Sequence, residues 1–169
     1  MMPAAAAKST QGTIAIDVVV ESALWSAHRS AEDVVHRAIE AAAAFGGKVG
    51  EIAVLLTDDA TIRAMNAQWR GIDKPTNVLS FPPGEATLGT DCPHLGDIAI
   101  ACETVAREAA AEDKAFLDHL AHLSIHGYLH LIGFDHENDG DALQMEHLET
   151  RILASLGIAD PYADRQSLD

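Results

Sequence analysis

Positive charge is scarce in this chain. Its 169 residues carry 11 Lys and Arg against 26 Asp and Glu, a formal net charge of −15. That balance argues against general nucleic-acid binding, which needs many cations to neutralise phosphates. A polyanion would have to meet a local basic cluster or the charge of a bound metal. Cysteine is nearly absent as well. Cys92 and Cys102 are the only two and show no C-x-x-C spacing, so neither a disulfide framework nor a sulfur-ligated structural zinc is indicated. No apolar run approaches the ~18 residues of a membrane span. The first twelve residues lack the basic-then-apolar order of a secretion signal. The expectation is one cytoplasmic domain over residues 13–157, without a membrane partner, flanked by flexible tails at 1–12 and 158–169.

What is present is an ordinary apolar fraction, 48 %, enough for a real core. Period-two and β-branched runs predict strands over 13–20, 48–56, 76–81 and 95–101. Helical spacing predicts helices from Ser22 or Ser30 to Phe45, from a Thr57 cap to Trp69, and over 103–112, 116–132 and 141–156. Ser30 with Asp33 reads as a capping pair, and Gly46-Gly47 as a stop. The early β-α-β spacing predicts parallel pairing. The helix-free link between the third and fourth strands predicts an antiparallel pair. The fold class is therefore α+β, a mixed four-stranded sheet packed with about five helices.

The chemistry concentrates in the stretch His126-Gly127-Tyr128-Leu129-His130-Leu131-Ile132-Gly133-Phe134-Asp135-His136. Two histidines four apart lie about 40° from each other around a helix, so His126 and His130 can face one point. Gly133 can end that helix in a left-handed conformation, and the returning chain can bring His136 to the same point. Three neutral imidazoles converging there would hold one divalent ion with a fourth position left for water, the open pattern of catalytic zinc. Imidazole sites also accept nickel and other divalent metals. The spacing is that of H-E-x-x-H-x-x-G-x-x-H metalloproteases, but Gly127 stands where their catalytic Glu would be. Ordinary peptidase chemistry thus loses its base.

Neighbouring residues admit more than one reading. His119 and His122 share the helical face of His126 and His130, and read first as hydrogen-bonded core histidines. The alternatives are that they, His122 above all, orient the ligand imidazoles from behind, or that they form a second metal pair. Asp135 either orients a ligand imidazole or forms a turn. Asp135, Glu137, Asp139, Gly140 and Glu146 also occupy positions 1, 3, 5, 6 and 12 of a calcium-loop pattern, a weaker reading because Glu137 departs from it and no partner hand exists. Arg70 and Lys74 flank the turn before the third strand. In so acidic a chain they read as a clamp for an anion or phosphate.

With these residues in view, the chain resembles the YbeY family of bacterial endoribonucleases. The stretch 126–136 is close to that family's H-G-x-L-H-L-x-G-Y-D-H, with Phe134 for the Tyr. Residues 66–82, from Asn66-Ala67-Gln68-Trp69-Arg70 to Phe81-Pro82, look like its second block, and Leu95-Gly96-Asp97-Ile98 like its third. The resemblance covers roughly 14–157. It implies one zinc on His126, His130 and His136, and a cleft containing Arg70, which would stabilise charge on phosphoryl oxygens, with the third strand and its Ser80 along the wall. It further implies cleavage of single-stranded RNA in maturation and quality control of small-subunit ribosomal RNA, with contacts to ribosomal proteins or an assembly GTPase. Two other readings stay open: a metal-dependent peptidase or amide hydrolase with a base from elsewhere, and a non-catalytic assembly factor with structural zinc.

Overall fold

The computed structural model describes residues 14–83, 93–134 and 139–163. Its sheet has four strands, β1 (Ala15–Val20), β2 (Glu51–Thr57), β3 (Val78–Phe81) and β4 (His94–Ala101), in the order β1-β2-β4-β3. The β1–β2 and β2–β4 pairs are parallel, and β3 runs antiparallel to β4 at the edge. Five α-helices pack around it: α1 (Ala31–Ala44), α2 (Asp59–Arg70), α3 (Cys102–Ala111), α4 (Phe116–Leu131) and α5 (Asp139–Ser155). A short 3-10 helix over Ala23–Ala27 precedes α1 and buries Trp25. This is the expected mixed α+β architecture.

The alternation of the strands assigns the two faces. One row across the sheet reads Val18, Val54, Ile98 and Ser80. Ile52, Val54, Leu56, Ile98 and Ile100 on that side join the main core with α1, α4 and α5. The opposite side carries Leu79, Ala99 and Ala101, which pack with Ile62 and Met65 of α2. Central strands covered on both faces read as continuous apolar runs, and IAVLL in β2 is such a run.

Helix α4 is the organising element. It buries Leu120, Leu123, Ile125, Tyr128 and Leu129, along with His119, Ser124 and Gly127. Gly127 sets its distance to the sheet. A Cβ there would lie 3.1 Å from Ile98 Cγ2 and 3.3 Å from Ser80 Oγ, so a side chain would press on the strands and these neighbours would have to give way. Ser80 Oγ donates to the Gly127 carbonyl at 3.0 Å and pins this contact. Tyr128 Oη, fully buried, donates to the Lys48 carbonyl at 2.7 Å, tying the same turn to the loop before β2.

The helix ends as its sequence suggests. Gly133 takes φ +111°, its N–H donates to the His130 carbonyl at 3.2 Å, and Phe134 N–H donates to the Leu129 carbonyl at 3.0 Å. That pair of bonds is a Schellman cap.

Local readings differ in four places. The cap of α2 is Asp58, whose carboxylate accepts from Thr61 N–H at 2.9 Å. Thr57 instead ends β2 and donates to Glu21. The Ser30–Asp33 box does not form: Ser30 makes no side-chain cap bond and Asp33 pairs with Arg37 four residues on. The calcium-loop reading falls because α5 begins at Asp139, so positions 5 to 12 of that loop are helical. The expected tail from 158 starts too early. Ile158 packs on the core and Tyr162 reaches the histidine face of α4, because one apolar and one aromatic side chain gain more from burial than from solvent.

Candidate functional site

Helix α4 turns four histidines to one side: His119, His122, His126 and His130. The His126 and His130 rings lie 4.7 Å apart between centroids and 78° between planes. They share a cleft of about 520 Å³ with Arg70, Asn77, Ser80 and Pro82. Arg70 arrives there as the last residue of α2, which Gly71 terminates in the left-handed region at φ +72°. The antiparallel edge strand β3 brings Ser80. Three separate segments, α4, the end of α2 and β3, thus converge on one cleft.

A second cleft, of about 590 Å³, shares His126 and Asn77 with the first. Its wall includes Glu108, Lys114, His119, His122 and Tyr162. His119 Nε2 lies 2.8 Å from Glu108 Oε1, and Asn77 Nδ2 donates to the same oxygen at 2.9 Å. The hydrogen bond from His119 holds the Glu108 carboxyl below its ordinary value; burial opposes this and the Asn77 bond adds to it.

Behind the histidine face of α4 sits Glu149 of α5, fully buried. Its Oε2 lies 2.6 Å from His126 Nδ1, and its Oε1 lies 2.7 Å from His122 Nε2. Tyr162 Oη donates to Oε1 as well. Burial alone would raise this carboxyl, but the bonds from His122 and His126 and their charges outweigh it and hold it down at about 2. Neither Glu149 nor Tyr162 stood out in the sequence.

The expected site residues divide as follows. His126, His130, Arg70 and Ser80 meet in the first cleft, with the Ser80 hydroxyl spent on the Gly127 carbonyl. Lys74 is exposed and does not line that cleft; its backbone carbonyl accepts from Asn66 Nδ2 at 2.9 Å. His122 meets Glu149 through Nε2 and stands edge-on to the His126 ring, 6.4 Å between centroids. Asp135 and His136 lie outside the described residues, as does Cys92, while Cys102 is buried with its thiol pushed up by burial. Among the described residues no three His, Cys, Asp or Glu side chains are grouped to hold a metal. The donor chemistry of the pair still fits one. Two adjacent imidazoles face the cleft, and one is braced at Nδ1 by a carboxylate, the support that metal-binding histidines commonly have.

Gly127 also bears on chemistry. Its missing side chain would meet Ile98 and Ser80, so a Glu introduced there would first meet the sheet.

Fold and site together define a class: α+β domains whose buried central helix offers carboxylate-braced imidazoles to a cleft shared with an arginine. A family model described as Endoribonuclease YbeY matches residues 19–157. The chain is 58 % identical over 160 residues to Endoribonuclease YbeY of Bradyrhizobium sp. strain BTAi1, covering 90 % of this chain and 95 % of that one. It is 55 % identical over 161 residues to the protein of the same name from Rhodopseudomonas palustris strain BisA53, covering 92 % and 94 %. A solved structure, TM1509 from Thermotoga maritima, matches with a TM-score of 0.50 at 25 % identity, over 90 % of this chain and 92 % of the other. The chain belongs to the endoribonuclease YbeY family.

Proposed function

We propose that this chain is a zinc-dependent endoribonuclease that cuts single-stranded RNA and acts in the maturation and quality control of small-subunit ribosomal RNA. The family it belongs to supports RNA as the substrate. The observation that carries the site assignment is the meeting of His126 and His130 with Arg70 in one cleft.

His126, His130 and His136 would hold the ion. A divalent metal there supplies Lewis acidity toward a phosphodiester and water. The rest falls to the protein. Arg70 can grip two phosphate oxygens at once and keeps its charge at any relevant pH, so it offsets negative charge that grows as the phosphorus is attacked. Ser80 holds α4 to β3 through Gly127 and so keeps the two walls of the cleft at fixed separation. The acidic surface disfavours long duplex contacts, which suits a single strand that enters one cleft over a few phosphates. Ribosomal proteins or an assembly GTPase would then deliver the substrate, since the chain's own charge opposes capture at a distance.

No general base stands in the position a peptidase needs, which weighs against the amide-hydrolase reading. Labelled single-stranded RNA, the same sequence as a duplex, and an unstructured protein should be offered to the purified chain. Cleavage of the single strand alone is expected. Steady proteolysis, or no RNA cleavage under any metal condition, would overturn the proposal.

A further inference from the structure

Among the described residues Glu149 is the one acidic side chain with no exposure. An ionised carboxylate removed from water costs several kcal/mol unless its partners are well placed. Glu149 meets that condition with both oxygens, on His126 Nδ1 at 2.6 Å and His122 Nε2 at 2.7 Å, and with the Tyr162 hydroxyl. The contacts join α4, α5 and the chain beyond α5 at one group.

The donor inventory decides the proton positions. An ionised carboxylate only accepts hydrogen bonds, so each imidazole nitrogen that touches it carries the hydrogen. In a neutral His122 ring this leaves Nδ1 as the bare nitrogen, and that atom is buried with no hydrogen-bond partner. For His126 the proton sits on Nδ1 and the neutral ring's lone pair on Nε2. The contact also fixes the rotation of the ring, whose neighbour one helical turn on is His130.

We infer that Glu149 is the positioning residue of the site. It selects the Nδ1–H tautomer of His126 and presents Nε2 to a divalent cation, while His122 and Tyr162 hold Glu149 itself in register. The inference rests on the reading of His126 as a metal ligand. A merely structural Glu149, an ionic staple between α4 and α5, would stabilise the fold without setting the tautomer or the metal affinity.

The test uses the full chain, with zinc alone as the probe and no RNA. Long-range proton–nitrogen correlation spectra of the metal-free wild type should show the His126 hydrogen on Nδ1. Zinc affinity, measured by competition with a chromophoric chelator, should fall about 10- to 100-fold in Glu149→Gln, because an amide cannot accept from both rings. Tyr162→Phe, which keeps the His126 contact, should lose less. A wild-type His126 protonated on Nε2 would overturn the inference even if Glu149→Gln failed to fold. So would a folded Glu149→Gln that binds zinc as the wild type does. A wild type that takes up no zinc would overturn the metal reading, and this inference with it.

Discussion

Among the described residues lining the cleft beside His126 and His130, Arg70 is the one Lys or Arg, and replacing it by Ala removes that charge. Folding should survive. Arg70 is exposed and ends α2, and Ala is as good a helix former. What stability it adds comes from its place near the negative end of the helix dipole, about 0.3–1 kcal/mol. For a chain of this size that is a fall of roughly 1–4 °C in melting temperature. Catalysis should suffer far more. One lost electrostatic stabiliser costs on the order of 10²-fold in kcat when it acts on charge that develops in the transition state. If Arg70 only holds the substrate, KM should rise and kcat stay. Either way one phosphate contact is gone, and the slope of log affinity against log salt should become shallower by ~0.7 for a single strand. Steady-state cleavage of a labelled single-stranded RNA at several salt concentrations reads all three quantities. A zinc-loaded, folded variant with wild-type kcat/KM and an unchanged salt slope would show that the cleft grips phosphate elsewhere.

Other outcomes follow from particular contacts. Tyr128→Phe should destabilise the chain by about 0.5–1.5 kcal/mol, because the hydrogen bond to the Lys48 carbonyl is lost; an unchanged thermal midpoint would refute the anchoring of α4. The Tyr128 phenol, pushed up to about 12 by burial, should resist ionisation until the fold opens, which absorbance titration reads. The Glu108–His119 pair predicts a pH effect. Glu108 is depressed in the folded chain, so its contribution is complete above the ordinary carboxylate range and fades as pH falls through the lowered value. Between about pH 6 and pH 3, Glu108→Gln should therefore lose less stability than wild type; equal acid slopes would contradict this. Gly127→Glu should cost at least about 1–3 kcal/mol by overpacking against Ile98 and Ser80 and yield no peptidase; a stable variant that cuts protein would reverse that reasoning.

The elements were legible where periodicity is strong. The apolar runs in β2 and β4 and the 0, 4 spacing of His126 and His130 each follow from local pattern, and Gly133 closes α4 as a left-handed glycine should. Strand order was not legible, since the placement of β4 between β2 and β3 is a matter of crossovers rather than of any local run. The cap of α2 slipped by one residue because Thr57 and Asp58 are both good caps, and β2 claimed the threonine. Glu149 escaped for a geometric reason. The apolar stripe of the last helix reads from sequence as Met145, Leu148, Ile152 and Leu156, whereas the buried residues are Met145, Glu149, Ile152 and Leu153. An acid set four residues after Met145 and three before Ile152 was the available signal. Tyr162 carried less, a lone aromatic in a polar stretch that only the folded chain brings to Glu149.

Zinc titrated into the metal-free chain, with bound metal and cleavage of single-stranded RNA followed on the same samples, tests the central claim most directly. Cleavage should be absent without metal and rise in proportion to bound zinc up to one ion per chain, and His130→Ala should neither bind nor cut. Full cleavage by the metal-free chain, or a His130→Ala protein that holds a full complement of zinc, would contradict the assignment of His126, His130 and His136 as the centre of an RNA-cutting metalloenzyme.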